Sequence, residues 1–188
     1  MNKAEFRKRM LGKLSSPDNT LSAKDTEKIY ESFLSLSEYV AAKRVFAYVG
    51  VGNEIQTMGL IDKMLADGKE VCVPLCFGKG QMDARRISSE KDLSSGRYGI
   101  PEPAATLPVV APEELELIIV PGVAFGEDGT RLGRGGGYYD RFLSRAENAA
   151  RIALARELNT EKTVPCEEHD EKVDIIVTEA RVIKTKVR

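Results

Sequence analysis

The 188-residue chain is 42% hydrophobic and 30% charged, with a formal net charge of −1. That balance describes a soluble globular protein and provides no global electrostatic grip on nucleic acid or an anionic membrane. No apolar run has the length of a membrane span and the polar N-terminus lacks a signal-type apolar core; the odd count of three cysteines suggests a reducing compartment, so a cytoplasmic protein is expected, and a monomer is the default expectation.

The length suits one core, and a single domain over residues 1–188 is expected. Residues 3–14 read as a short basic helix on which Lys3 and Arg7, spaced i and i+4, share a face. Taken alone, that face is simply solvated. Ser15-Ser16-Pro17-Asp18-Asn19 ends the helix. A second helix starts near Ser22, with Ile29, Phe33, Leu36 and Val40 on one stripe. Val45–Val51 reads as a strand running into glycines. Thr57–Ala66 reads as a helix with Ile61, Met64 and Leu65 inward. Val71–Leu75 is a second strand, stopped around Gly78 and Gly80, and Met82–Ile87 a third. Cys72 and Cys76 have half of a metal-site spacing but no second pair, so buried or semi-buried thiols are expected. Residues 94–112, rich in proline, glycine and small side chains, are long for a structureless loop and are expected to wrap the body or cover a site.

The apolar run Leu117-Ile118-Ile119-Val120 reads as a buried strand. After it comes Arg131-Leu132-Gly133-Arg134-Gly135-Gly136-Gly137-Tyr138-Tyr139-Asp140, then helical spacing with Tyr139, Phe142, Leu143 and Ala146 on one face. A cationic, glycine-rich loop between a strand and a helix attracts anions, and glycine lets a phosphate approach the backbone closely. Arginine adds bidentate phosphate contacts. The loop is not a Walker loop, which needs Lys-Ser or Lys-Thr after its last glycine. Nor is it a Rossmann fingerprint, which needs glycine where Tyr138 stands. Ile152–Ala155 and Ile175–Thr178 read as late strands. The alternation predicts an α/β fold: a single-domain, three-layer α/β/α arrangement, mostly parallel, with helices on both faces. Ligands of such sheets bind beyond the strand C-terminal ends, where the loops after Val49 and Val120 and the segment before Asp174 are expected to meet.

The segment Val120 to Phe142 resembles the signature of the 5-formyltetrahydrofolate cyclo-ligase family. Matches follow in family order at Lys3-x-x-x-Arg7, Asn53-Glu54-Ile55-x-Thr57, Tyr98-Gly99-Ile100-Pro101-Glu102-Pro103 and Val164-Pro165, leading to His169-Asp170-x-x-Val173-Asp174. The resemblance implies ATP- and magnesium-dependent closure of 5-formyltetrahydrofolate to 5,10-methenyltetrahydrofolate, with release of ADP and phosphate. It implies nucleotide contacts from Lys3, Arg7, Arg131, Leu132, Gly133, Arg134, Gly135, Gly136, Gly137, Tyr138 and Tyr139, with Arg134 catalytic. It places the folate against Val49, Glu54, Tyr98, Arg134, Gly135, Gly136, Gly137 and Tyr138. Magnesium falls to Asp140 and Asp174, with Asp170 the competitor for the second place. From spacing alone Asp140 is an ordinary helix-start acid, Glu54 a solvated or capping acid, and Val49 and Tyr98 packing residues. His169, the only histidine, sits in a highly polar loop and is read as a surface or supporting residue rather than a catalytic one. Some family members carry lysine where this chain has Gly136, which removes one point charge from the cradle. The rival readings are a sugar-phosphate isomerase on a related scaffold, and a homologue that binds folate or nucleotide without catalysis.

Overall fold

The computed structural model describes residues 1–96 and 99–185. Helix α1 spans Lys3–Ser15 and opens on a capping box between Asn2 and Glu5. Helix α2 spans Ala23–Leu34 and is capped by Ser22; α3 is Ser37–Ala41, α4 Met58–Ala66 and α5 Tyr138–Leu143. The strands are β1 Arg44–Ala47, β2 Glu70–Phe77, β3 Gln81–Ile87, β4 Leu93–Ser95, β5 Pro101–Pro103 and β6 Val109–Val110. They continue with β7 Leu117–Ile119, β8 Ala124–Gly126, β9 Arg131–Leu132, β10 Ala150–Leu154, β11 Thr160–Glu161, β12 Ile175–Val177 and β13 Val182–Lys184.

The main sheet has the order β13-β12-β10-β7-β1-β2-β3-β6. Its five central strands, β12 to β2, are parallel, and β13, β3 and β6 add antiparallel edges. Strand alternation divides the core. Val45, Ala47, Val71, Leu117, Ile119, Ile152 and Ile175 face α2, α3 and α4. Phe46, Cys72, Ile118, Ala153 and Ile176 face the opposite way, against Phe142 and Leu143 of α5. Phe46 stacks on Phe142 with ring centroids 4.7 Å apart. Helices therefore lie on both faces, although among the described residues the second face carries only one α-helix, the six-residue α5.

Three expectations need correction. The stripe through Val40 predicted one helix, but the chain makes two. Leu36 leaves helical geometry (φ −66°, ψ 137°), which aims Tyr39 at the core and leaves Val40 67% exposed. Inside α4 the buried residues are Leu60, Ile61 and Met64, with Leu65 only partly covered. Residues 121–132 are not a plain loop: they form β8 and β9 of a small sheet ordered β11-β8-β9. That sheet packs on α1 through Phe6, Met10, Val123, Ala124, Leu132 and Val164. The same packing places the basic helix beside the glycine-rich loop. The stretch 94–112, expected to wrap the body or cover a site, carries the end of β4, β5 and β6 among its described residues, and its Ile100 and Glu102 line the cleft described below.

Candidate active site

A cleft of about 330 Å³ opens beyond the C-terminal ends of the parallel strands. Tyr48 and Val49 line it after β1, Pro121 and Gly122 after β7, and Pro74 and Cys76 near the end of β2. The glycine-rich segment from Gly133 to Asp140 makes one wall, and Met82, Ile100 and Glu102 come from the opposite side. The volume is in the range of small-molecule sites. The backbone of the loop requires glycine at two places, Gly135 at φ 99° and Gly137 at φ 66°, the latter capping α5.

The two arginines of the loop do different work. Arg131 sits on β9 with its side chain 3% exposed. Its Nη1 donates to the Pro121 carbonyl and its Nη2 to Asp140 Oδ1 at 2.5 Å. It ties the strand β7 exit to the start of α5. Arg134 is 54% exposed, and its Nε donates to Glu54 Oε1 at 2.8 Å. The other Glu54 oxygen accepts the Val51 amide. Eighty residues apart in sequence, Glu54 and Arg134 thus meet at the mouth of the cleft.

Arg7 reaches the loop from α1: its Nε donates to the Gly133 carbonyl at 2.8 Å, and its guanidinium lies in van der Waals reach of Gly135. Lys3, one turn earlier, pairs with Asp170 at 2.5 Å and Glu167 at 3.1 Å. Burial opposes the Lys3 charge, but the two carboxylates outweigh it and raise the lysine pKa. Tyr138 lines the cleft and donates to the Gly78 carbonyl of the β2–β3 hairpin at 3.3 Å. Tyr139 packs on Phe46, its hydroxyl is buried without a partner, and burial pushes its pKa well up. Leu132 points away, into the core beneath α1.

The structure does not bring Asp174 to this cleft. Asp174 immediately precedes β12, so it lies at the N-terminal edge of the parallel sheet, and its Oδ2 accepts the Arg151 amide at 2.8 Å. The cleft opens at the other edge. The acid of that segment on the cleft side is Asp170, 13% exposed and held by Lys3. The amide of the next residue, Glu171, donates to Asp140 Oδ1. Asp140 Oδ2 has no hydrogen bond among the described residues. His169 is 75% exposed, in keeping with a surface place. Tyr98 lies outside the described residues. Cys72 is buried, with its thiol pushed up to about 12 by burial, and Cys76 is half-buried in the cleft wall. Four residues apart on one strand, they cannot share a metal ion.

Sequence reasoning missed Met82, Pro74, Cys76 and Glu102 as cleft residues. Alternation along β3 marks Met82 as inward, but only the antiparallel hairpin with β2 shows which space it faces.

The profile of the 5-formyltetrahydrofolate cyclo-ligase family matches residues 1–179, across the cleft, the loop and both flanking helices. The chain belongs to that family. A probable 5-formyltetrahydrofolate cyclo-ligase of Caenorhabditis elegans is 35% identical over 95% of this chain and 92% of its own length. One of Schizosaccharomyces pombe is 32% identical over 93% and 92%. The solved structure of Aquifex aeolicus 5,10-methenyltetrahydrofolate synthetase superposes with a TM-score of 0.87 at 32% identity, over 100% of this chain and 95% of that one. In this cyclo-ligase chain Glu54 and Arg134, which meet at the mouth of the cleft, come from the two segments in which the sequence resembles the family's motifs.

With Glu54 holding both Arg134 and a backbone amide, Glu54→Gln is expected to weaken folate binding about tenfold and spare nucleotide affinity, because the amide presents donors where acceptors are needed. Calorimetry with each ligand separately checks this, and an unchanged folate affinity would contradict the assignment.

Proposed function

We propose that this cyclo-ligase closes 5-formyltetrahydrofolate to 5,10-methenyltetrahydrofolate in the cleft, consuming ATP and releasing ADP and phosphate. The observation that carries the reading is the hydrogen bond of Arg134, in the glycine-rich loop, to Glu54 at the mouth of a cleft of about 330 Å³. A carboxylate suited to pterin N–H donors and a cation suited to phosphate oxygens stand side by side. That adjacency is what phosphoryl transfer between a nucleotide and a folate requires.

In the reaction the formyl oxygen attacks the γ-phosphorus of ATP and ADP departs. The ten-position nitrogen then attacks the activated formyl carbon, phosphate leaves, and the ring closes. Protein groups need only position and stabilise charge. Glu54 orients the pterin and apolar Val49 and Met82 flank it. Arg134, which the incoming ligands draw off Glu54, stabilises the transferring phosphoryl group. The amides from Gly133 to Tyr138 cradle the phosphates, with Lys3 and Arg7 beside them. Arg7, lodged on Gly133, supplies the charge that lysine would provide at position 136. Magnesium fits the carboxylate chemistry of Asp140 and Asp170, since it takes one or two carboxylates together with phosphate oxygens and water. When bound it would neutralise charge on the phosphates. Asp140→Asn and Asp170→Asn are each expected to raise the magnesium concentration needed for turnover, while Asp174→Asn leaves it unchanged; titrations of rate against magnesium separate the three.

We read the chain as one catalytic domain of a cytoplasmic monomer. No disulfide joins Cys72, Cys76 or Cys166, which supports a reducing compartment; no helix among the described residues is long and apolar enough to cross a membrane. The deciding experiment follows absorbance of the methenyl product with and without ATP and magnesium. Product that requires both supports the reading. Ligand binding without product would favour a non-catalytic homologue, and loss of nucleotide binding would favour single-phosphate chemistry.

A further inference from the structure

Three carboxylates line the cleft. Glu54 is tied to Arg134 and Asp140 to Arg131, whereas Glu102, on β5, makes no side-chain hydrogen bond or ion pair among the described residues. Its backbone is stiff. Pro101 and Pro103 flank it, and proline fixes its own φ and confines the residue before it to extended conformations. Strand β5 pairs antiparallel with β4, with Ser94 opposite Glu102, and the Gly96 amide closes the turn onto the Ile100 carbonyl at 2.9 Å. The Glu102 side chain lies over Gly96, where a Cβ would stand 2.4 Å from its Cγ and 2.5 Å from its Oε2. Glycine at 96 leaves the room that this carboxylate occupies.

Strand β5 lies against β2, and the cleft also takes Pro74 and Cys76 from β2 and Met82 from β3. Glu54 belongs to another part of the sheet edge. It follows β1 and meets Arg134 beside Pro121 and Gly122, which follow β7. Along the order β7-β1-β2-β3 the two carboxylates are about one to two strand spacings apart, roughly 5–10 Å. They face one space from two ends, and the ends differ in chemistry. Glu54 stands by an arginine. Glu102 shares its end with Ile100, Met82 and Pro74, apolar groups that suit the faces of a flat ring. A carboxylate repels phosphate, so this end does not suit the nucleotide.

We propose that Glu102 is a specificity-determining residue for the folate ring, its carboxylate accepting the N3–H and 2-amino hydrogens of the pyrimidine edge. The inference rests on the cyclo-ligase reading above. The pterin of 5-formyltetrahydrofolate carries N–H donors on both of its rings. N8–H is on the reduced ring, which also bears the formylated N5; N3–H and the 2-amino group are on the other. One carboxylate cannot serve both edges. Glu54, beside the arginine assigned to the transferring phosphoryl group, serves the reduced ring next to the reacting formyl group. The pyrimidine edge then points to the far end of the cleft, where Glu102 has both oxygens unengaged. Two parallel N–H donors match the two oxygens of a carboxylate as the guanidinium fork does. A polar group carried on a stiff, proline-flanked strand meets such an edge at little entropic cost.

The test compares wild type, E102A, E102Q and E54Q, all full length, by calorimetry with 5-formyltetrahydrofolate and with its 2-desamino-2-methyl analogue, which lacks one donor of the pair. The KM for ATP is measured alongside. E102A is expected to weaken binding of 5-formyltetrahydrofolate about 10- to 100-fold, and that of the analogue by a factor about ten times smaller. The ATP KM is expected to stay unchanged. E102Q keeps the shape over Gly96 and covers the case in which E102A does not fold; its amide retains one acceptor and gives the same pattern with a smaller ratio. E54Q, acting on the other ring, is expected to weaken both ligands alike. Equal losses on both ligands in the Glu102 variants, no loss on either, a change confined to the ATP KM, or discrimination between the ligands by E54Q instead would each overturn the assignment. A wild type with no affinity for 5-formyltetrahydrofolate overturns the cyclo-ligase reading and the assignment together; wild-type turnover with unaffected Glu102 variants overturns the assignment alone.

Discussion

Arg134→Ala is expected to cut turnover by about 100- to 1,000-fold, the usual cost of removing one preorganised charge contact to a transition state (about 2.7–4 kcal/mol). The fold should scarcely register the change, because the side chain is 54% exposed and anchored only to Glu54. Folate affinity should change far less than turnover, since the alanine leaves Glu54 free to meet the pterin. Single-turnover measurements at saturating ATP, set beside folate calorimetry, separate the two effects. Near-normal turnover in the folded variant would remove Arg134 from the chemistry. Because Glu54 and Arg134 touch, the double variant Glu54→Gln with Arg134→Ala is expected to lose less than the sum of the single losses.

The second large effect falls on the neighbouring arginine and has a different character. Arg131→Met is expected to destabilise the protein by about 3 kcal/mol, as when one partner is taken from a buried ion pair. It leaves Asp140 without its cation and the Pro121 carbonyl without its donor. The exit of β7 then loses its tie to α5, and the loop between them is no longer held in place. Denaturant unfolding reads the stability directly. A variant as stable as wild type but inactive would instead make Arg131 a phosphate contact with no anchoring role. The contrast with Arg134 is the sharper check: one loop carries one arginine that governs stability and another that governs rate.

Much of the architecture could be read from the chain. The buried central strands showed as continuous apolar runs, because a parallel strand covered on both faces has no polar side. The second, fourth and fifth helices showed through apolar spacing and the first as a short basic stretch, and glycine with arginine before a helix marked an anion site. The family motifs named Lys3, Arg7, Glu54, Arg134 and Asp140, all of which the fold brings to one edge of the sheet. The short strands β8, β9, β11 and β13 were not legible, since two or three residues carry no periodicity.

What the chain could not show is how distant segments meet, because periodicity reports which face of an element is buried and not what lies against it. Both arginines of the loop looked alike in sequence. Tertiary packing made Arg131 a buried tie to Asp140 and Arg134 an exposed partner of Glu54. Asp170 and Asp174 are four residues apart and equally acidic, yet the chain crosses from one sheet edge toward the other between them. Only the direction of β12 decides that Asp170 stands beside Lys3 while Asp174 caps the Arg151 amide. The sequence by itself determined the fold class, the family and the chemistry on offer, because those depend on local spacing and residue type. The assignment of each charge to the mouth of the cleft or to anchoring was left to three-dimensional packing, because a charge acts through the neighbours that the fold supplies.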